Sequence, residues 1–139
     1  RAWVLEDATV QGVSPTGWAE AAASAYDRWQ ADRVVAEVNQ GGAMVETVLR
    51  QVAPQVPLRK VTATRGKAAR AEPVAALYEQ GRVGHAGVFA ALEEQMGLMT
   101  VQGFQGQGSP DRVDALVWAL TELVVAPMSG YRRPALRLL

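Results

Sequence analysis

The stretch VVAEVNQGG at residues 34–42 carries the strongest indication of the fold. Its first half is short, apolar and rich in β-branched residues, which is typical of a buried strand of a parallel sheet. The Asn-Gln-Gly-Gly sequence at 39–42 predicts a tight turn, and the apolar spacing over 44–52 predicts a helix after it. A strand, a tight turn and a helix in this order are typical of α/β proteins.

Strand and helix patterns alternate on both sides of this stretch. An early proline after Ser14 opens an amphipathic helix that carries Trp18 and Trp29 on its buried face. Residues 100–108, with three Gly and three Gln, predict a flexible loop. The other patterns predict strands over 2–10, 32–39, 58–64 and 82–85. They predict helices over 17–31, 44–52, 68–80 and 88–96, and a last helix that begins at 109–111 and is stopped by Pro127 and Gly130. The alternation predicts crossover units and a largely parallel sheet with helices on its faces.

Composition excludes several classes of protein. The 139 residues carry 14 basic and 14 acidic side chains and are 49% hydrophobic, which predicts one folded domain. The absence of Cys excludes disulfides, thiol catalysis and cysteine metal sites, and a single His excludes a multi-histidine zinc site. The sequence has no phosphate-loop motif, no apolar run long enough to span a membrane and no Ser-His-Asp pattern. We expect a soluble intracellular protein.

Glu37 lies near the carboxyl end of the strand at 34–38, where α/β proteins place their functional sites. A carboxylate inside an apolar run is costly to bury unless it is paired or binds a metal. Two interpretations stay open from position alone. Glu37 is a metal ligand, or it points outward at the strand end or pairs with an arginine.

Asp111 and Asp114 lie three residues apart at the start of the last predicted helix, so they share one helix face. Two like charges there repel each other and are expected to need a cation or an arginine between them. Acids in a first helical turn also favour the helix dipole and can be a cap and a solvated charge only. The spacing therefore allows both a cation-binding pair and a plain capping pair.

Basic residues cluster between Gln51 and Ala71, where the sequence has no acidic residue. Such a segment can contact a phosphate backbone, although a solvated loop explains it equally well. Aromatic residues do not interleave with the basic ones, so stacking on single-stranded bases is not indicated. The basic residues of the segment are Arg59, Lys60, Arg65, Lys67 and Arg70, and a weaker basic signal lies in the tail at Arg132, Arg133 and Arg137.

Three segments form an ordered trio. They are VVAEVNQGG at 34–42, RGKAARAEP at 65–73 continuing to LYEQGRV at 77–83, and SPDRVDALVWAL at 109–120. The trio resembles the C-terminal nuclease domain of the large terminase subunit of tailed phages and phage-derived gene transfer agents. The resemblance extends over about residues 1–126, and it depends on the order of the segments more than on any one motif.

The resemblance implies a ribonuclease H-like fold, with a mixed, largely parallel central sheet flanked by helices, over residues 1–126, followed by a basic tail at 127–139. It implies a divalent-metal-dependent endonuclease that cuts double-stranded DNA concatemers when genome packaging ends. Its catalytic and metal-binding residues match Glu37, Asp111 and Asp114, which are expected to bind two Mg²⁺ or Mn²⁺ ions. Lys60, Arg65, Lys67 and Arg70 are expected to position DNA phosphates.

The family's first strand carries an essential aspartate, and this strand precedes the segment that here reads Trp3 to Asp7. Asp7 matches the end of the second strand and does not replace the missing acid. With Arg as residue 1, we expect a chain that lacks its N-terminal part and holds an incomplete metal site, so that activity of this exact chain is in doubt.

The resemblance also implies packaging partners, and other functions compete with the one that it implies. The partners are double-stranded DNA, an ATPase domain of the same full-length protein, the small terminase subunit and the portal. No membrane is expected to take part, and the expected place is the host cytoplasm, at the procapsid. One competing function is another ribonuclease H-like nuclease such as a junction resolvase, whose family also has two aspartates at this spacing. Others are a non-catalytic DNA- or protein-interaction module and a small-molecule α/β enzyme.

Overall fold

The computed structural model describes residues 1–38 and 43–129. The predicted turn at 39–42 and the tail residues from Gly130 onward lie outside the described residues. In chain order the elements are β1 (Ala2–Val4), α1 (Pro15–Trp29), β2 (Val34–Glu37), α2 (Ala43–Val52), β3 (Leu58–Val61), α3 (Lys67–Glu79), β4 (Val83–His85), α4 (Ala90–Leu98), β5 (Met99–Thr100), β6 (Gly103–Phe104), α5 (Asp111–Leu120), a π-helical turn (Thr121–Val125) and α6 (Ala126–Ser129).

The chain forms two compact units. Unit 1 comprises Arg1–Leu5 and the chain from Lys67 onward, and unit 2 comprises Glu6–Gly66.

Unit 2 is built from α1, β2, α2 and β3. The strands β2 and β3 pair in parallel, from Val34 opposite Leu58 to Glu37 opposite Val61, as the alternation of elements predicts. At the start of α1 the hydroxyl of Ser14 accepts the Gly17 N–H at 3.2 Å, which confirms the predicted helix start. The buried core of this unit consists of Ala19, Leu49, Ala53 and Val56.

Unit 1 contains β1, α3, β4, α4 and α5. The strands β1 and β4 pair in parallel, with Trp3 opposite Gly84. A short antiparallel hairpin, β5–β6, follows α4. The buried core of this unit lies among the helices and β4 and consists of Val74, Leu77, Val83, Leu92, Val113, Leu116, Val117 and Leu120.

The α/β class and the parallel pairing are confirmed, but the described strands pair as three two-stranded sheets. The strand predicted over 2–10 ends at Val4. Thr9 turns back onto Asp7, whose carboxylate accepts the Thr9 N–H at 3.1 Å, and this local turn replaces strand pairing. The loop predicted over 100–108 begins with the β5–β6 hairpin. Gly103 adopts a φ of +113°, and the Thr100 hydroxyl donates to the Gly103 carbonyl at 2.9 Å, which closes the turn.

The last helix ends between the predicted stops at Pro127 and Gly130, and one prediction for the first helix was wrong. The last helix continues to Ser129 after a π-helical turn. The proline ring would collide with the carbonyl four residues before it in a regular α-helix, and the wider π turn lies at that carbonyl. Trp29, predicted to lie in the core, is 44% exposed because its indole N–H donates to the Glu6 carboxylate.

Candidate functional site

The first turn of α5 holds both predicted aspartates. Pro110 precedes the helix and offers no side-chain cap. The side chain of Gln95, on α4, replaces it, because its Oε1 accepts the N–H groups of Arg112 at 3.1 Å and Val113 at 3.3 Å. The Asp114 N–H donates to the Pro110 carbonyl at 2.9 Å. The backbone that carries the aspartates is therefore hydrogen-bonded on the side that faces α4.

Asp114 is largely buried and lies against two cationic side chains of α3. Its side chain is 13% exposed. The Lys67 ammonium donates to Oδ2, and the nearest guanidinium nitrogen of Arg70 lies 4.0 Å from Oδ1. The Lys67 ammonium also donates to the Ser109 hydroxyl at 3.1 Å. The sequence predicts a cation beside the aspartate pair, and the structure supplies one at Asp114 from the protein itself. Asp111 is exposed at the helix start.

Arg70 is fixed by packing as well as by charge. Its guanidinium carbon lies 4.9 Å from the centroid of the Trp118 ring, and its side chain is 11% exposed. Trp118 is four residues after Asp114 on α5, so the aromatic ring and the carboxylate lie on one helix face. The cation–π contact and the carboxylate hold the planar guanidinium from two directions.

Glu37 is the last residue of β2, opposite Val61 at the end of β3. The Val38 N–H donates to the Val61 carbonyl at 2.8 Å, which extends the pairing one residue further. Glu37 is half-buried and lies at the carboxyl end of a parallel strand pair, as predicted. It belongs to unit 2, whereas Asp111 and Asp114 belong to unit 1.

Carboxylate oxygens are the ligands that Mg²⁺ and Mn²⁺ prefer, and Glu37, Asp111 and Asp114 supply oxygens of this type. The Lys67 ammonium and the Arg70 guanidinium already lie against the Asp114 carboxylate, however, and they oppose a further cation there. Within residues 1–38 and 43–129, no three His, Asp or Glu side chains are grouped closely enough to hold a metal. The assignment of Glu37, Asp111 and Asp114 as metal ligands stays a prediction.

The four predicted DNA-binding residues are in different surroundings. In unit 2, Lys60 pairs with Glu46 at 2.6 Å, and this hydrogen bond lowers the pKa of the glutamate. Lys60 also lines an open cleft of about 380 Å³ with Arg33 and Arg59. Arg65 is exposed between β3 and α3. In unit 1, Lys67 and Arg70 lie against Asp114, and of these two only Lys67 is substantially exposed.

The single histidine links α3, β4 and α4 of unit 1. His85 Nε2 lies 2.8 Å from the Tyr78 hydroxyl, and Nδ1 lies 2.9 Å from Glu93 Oε1. Burial, with the negative charge of Glu93 as a second cause, raises the pKa of Tyr78 to about 12. The hydrogen bond from His85, with one from the Phe89 N–H, lowers the pKa of Glu93. The network fits the structural role that is usual for a lone histidine.

Comparison with known families decides the relationship of the chain. A model of the terminase RNaseH-like domain matches residues 1–123. The chain belongs to this terminase RNaseH-like family. No curated protein and no solved structure matches it. The match confirms the resemblance and the ribonuclease H-like class predicted from sequence. In the described part of the chain, no helix has the length and apolar character needed to cross a membrane.

The sequence analysis did not predict the contacts of Asp114 or of the helix turn that carries it. It predicted that Lys67 and Arg70 bind DNA phosphates, although their spacing of three residues places both on one face of α3 and so predicts a shared partner. The capping role of Gln95 had no local signal, because the glutamine and the helix it caps are separated by a hairpin in the sequence.

Proposed function

We propose that this chain is the metal-dependent endonuclease domain of a DNA-packaging terminase large subunit, which cuts double-stranded DNA concatemers. The observation that supports this function best is the family match over residues 1–123 together with Asp114, a largely buried carboxylate on the first turn of α5 that lies against two cations. A carboxylate that is only 13% exposed is costly unless it is paired, so Asp114 differs from a cap that is exposed to water.

In this proposal Glu37, Asp111 and Asp114 supply the oxygen ligands for Mg²⁺ or Mn²⁺. Ions held by these residues would supply activation of the attacking water and charge stabilisation at the leaving oxygen, which is the chemistry that phosphodiester hydrolysis needs. Gln95 keeps the first turn of α5 in place by accepting hydrogen bonds from the N–H groups of Arg112 and Val113. Arg70, packed on Trp118, helps to orient the Asp114 carboxylate, because its guanidinium lies 4.0 Å from Oδ1.

Lys60, Arg65 and Lys67 are the proposed phosphate contacts, because each is exposed enough to reach a ligand in solution. Contacts of this kind position a duplex without reading its sequence. The fourth predicted contact, Arg70, is 11% exposed, so we assign it to Asp114 rather than to DNA. The partners in the same proposal are the ATPase domain of the full-length protein, the small terminase subunit and the portal, and its place is the procapsid in the host cytoplasm.

The test is cleavage of duplex plasmid by the protein as its gene encodes it, with Mn²⁺, Mg²⁺ or EDTA. We expect metal-dependent cutting that falls at least about 100-fold in Glu37→Ala and in Asp111→Ala, because each change removes a ligand oxygen. Glu20→Ala is the matched control, since it removes an exposed acid from α1 and should leave cutting unchanged. Circular dichroism checks that every variant is folded.

Three outcomes would contradict the proposal. Persistent cutting by both Glu37→Ala and Asp111→Ala removes the acids from the reaction. A strong preference for four-way junctions over linear duplex identifies a resolvase instead. No cutting and no thermal stabilisation of the folded wild type by Mn²⁺ identifies a non-catalytic interaction module.

A further inference from the structure

The two faces of the β2–β3 pair in unit 2 differ in what they contact. Successive side chains of a strand point to opposite faces of a sheet. Val34 and Leu58, which lie opposite each other in the register, pack against the buried core of this unit. The next pair in the register, Val35 and Arg59, therefore lies on the other face, which is turned away from that core. This second face is the outer face of the pair.

The outer face carries charge at both of its ends. Arg33, Val35 and Glu37 alternate along the chain and so lie on this one face. Arg33 is at the amino end of the strand, and Glu37 is its last residue, at the carboxyl end. Arg59 lies opposite Val35, between the two. Two guanidinium groups therefore share a face with one of the proposed catalytic carboxylates.

The two arginines line an open cleft of about 380 Å³ at the amino end of the pair. The Val34 N–H donates to the Pro57 carbonyl at 2.9 Å, so strand pairing holds the backbone around this cleft. Both Arg33 and Arg59 are exposed. The cleft is thus built on a fixed strand pair and presents its guanidinium groups to a ligand in solution.

The charge and shape of the cleft favour duplex DNA as its ligand. The lining includes the two arginines, Lys60, whose charge Glu46 of α2 balances, and the acid Asp32. The planar guanidinium group matches the geometry of phosphate oxygens. A small ligand needs an enclosed pocket that buries most of its surface, whereas a duplex backbone can lie along an open face. A backbone that follows the outer face also reaches Glu37.

The spacing along the strand sets the distance between the arginines and the carboxylate. An extended strand rises about 3.3 Å per residue, so the Cα atoms of Arg33 and Glu37 are about 13 Å apart. Each strand of a duplex carries one phosphate per about 3.4 Å of the helix axis. A backbone along the outer face therefore presents to Arg33 a phosphate about four base pairs from the bond at Glu37.

We propose that Arg33 and Arg59 form an anchor that holds duplex DNA on the outer face of β2–β3, about four base pairs from the cut bond. The anchor binds phosphates and does not read base sequence. Its two arginines are positioning residues, because they hold the duplex without touching the bond that breaks. The inference rests on the proposed function, since the distance is counted from Glu37.

The first test measures binding of a fluorescent linear duplex by anisotropy, in EDTA and over a series of salt concentrations, with the protein as its gene encodes it. Arg33→Gln and Arg59→Gln should each weaken binding several-fold. Each should also reduce the slope of log affinity against log salt by about 1, because one phosphate contact is lost. Arg59→Lys should keep most of that slope, since it keeps the charge.

Two further variants of unit 2 control for net charge. Arg28→Gln removes one positive charge from an arginine that Glu6 already balances, so it should change neither affinity nor slope. Asp32→Asn removes a negative charge from the lining of the cleft, so it should bind the duplex more tightly than the wild type. Circular dichroism checks that each variant is folded. Equal weakening by Arg28→Gln would show that only net charge matters and would overturn the anchor.

The second test separates the anchor from the chemistry. In Mn²⁺-dependent cleavage of duplex plasmid, Arg33→Gln and Arg59→Gln should raise KM several-fold and leave kcat close to the wild-type value. This split is expected because the arginines hold phosphates away from the cut bond, equally before and during the reaction. A fall in kcat at unchanged KM would place the arginines at the reacting bond and would overturn their positioning role.

The outcomes separate the two proposals. If both arginine variants bind DNA like the wild type, the anchor is wrong and an acidic protein segment becomes the better ligand for this face. The proposed function then still stands if Glu37→Ala abolishes cutting. If the wild type binds duplex DNA through both arginines but does not cut it, the proposed function fails and the binding surface stands. If it neither binds nor cuts, both proposals fail.

Discussion

Each unit of the molecule contains one lysine–carboxylate pair, and the two pairs differ in the carboxylate. Glu46, the partner of Lys60 in unit 2, is 39% exposed, whereas Asp114, the partner of Lys67 in unit 1, is 13% exposed. An exposed pair exchanges one hydrated state for another and contributes little to stability. A carboxylate that is largely removed from water needs its cation, since an uncompensated buried charge is costly. The same pairing chemistry is therefore optional in unit 2 and required in unit 1.

The helices that carry the two carboxylates also differ in how many apolar residues they bury. Helix α5 of unit 1 buries four apolar residues on the faces next to its aspartates, namely Val113, Leu116, Val117 and Leu120. Helix α2 of unit 2 buries Leu49 alone. The acids of unit 1 thus lie on an element that is anchored in a core, which is the arrangement that keeps functional groups in a fixed geometry.

The largest expected effect comes from the two cores. Leu77→Ala in unit 1 and Leu49→Ala in unit 2 should each lower the free energy of unfolding by about 2–5 kcal/mol, because each leaves a cavity among buried side chains. Hydrogen exchange should show the largest loss of amide protection in the unit that carries the change. Leu123→Ala is the control, since that leucine is 65% exposed and its loss should cost about 0.5 kcal/mol or less. Equal loss of protection in both units from either change would break the comparison.

The next effect concerns the cap of α5. Gln95→Ala should lower the free energy of unfolding by about 0.5–2 kcal/mol, because the N–H groups of Arg112 and Val113 lose their acceptor. Thermal denaturation measures the loss, and hydrogen exchange should locate it in the first turn of α5. Gln80→Ala removes an exposed glutamine at the end of α3 and should change neither quantity. If Gln95→Ala has the same thermal stability and the same amide protection as Gln80→Ala, the first turn of α5 does not depend on its contact with α4.

Much of this fold could be predicted from sequence, because the signals were local. The apolar run at 34–38 and its spacing from 58–61 determine a parallel pair, and a hydroxyl before a proline determines the start of α1. The position of Glu37 at a strand end followed from the same pattern.

The remainder could not be predicted, because it depends on contacts between distant residues. Trp29 is a large aromatic residue at helical spacing from the other apolar residues of α1, which predicts a place in the core. Glu6, far from it in sequence, holds its indole at the surface instead. The partners of Asp114 come from α3, more than 40 residues earlier in the chain. Short hairpins such as β5–β6 also escape prediction when their glycines indicate only a loop.

Acid pH should weaken both units, and unit 2 through more groups. Hydrogen bonds from Trp29 and Lys60 lower the pKa values of Glu6 and Glu46 in unit 2, and one from His85 lowers that of Glu93 in unit 1, each from an ordinary value of 4.5. A lowered carboxyl pKa contributes stability above the unfolded value that is lost as pH falls through the folded pKa. The urea concentration at which half of the wild-type protein is unfolded should therefore decrease as the pH is lowered below about 4.5.

The matching variants separate the contributions of the two units. In Glu6→Gln and in Glu93→Gln, the urea midpoint should decrease less between neutral and acid pH than in the wild type. In Glu20→Gln, at an exposed site on α1, this decrease should be the same as in the wild type. Stability that rises on acidification would reverse the assignment of the groups.

The two lysine substitutions test the opening comparison directly, and the smallest expected effect is that of Lys60→Met. Lys60→Met should change the free energy of unfolding by no more than about 1 kcal/mol, because its partner Glu46 can turn to water. Lys67→Met, measured without metal, should cost more, about 1–3 kcal/mol, because Asp114 keeps only the more distant Arg70. High salt should remove most of the Lys60 effect and less of the Lys67 effect, since buried pairs are screened less. If the two substitutions cost the same at every salt concentration, burial of the carboxylate does not distinguish the pairs, and Lys67 is an ordinary surface lysine.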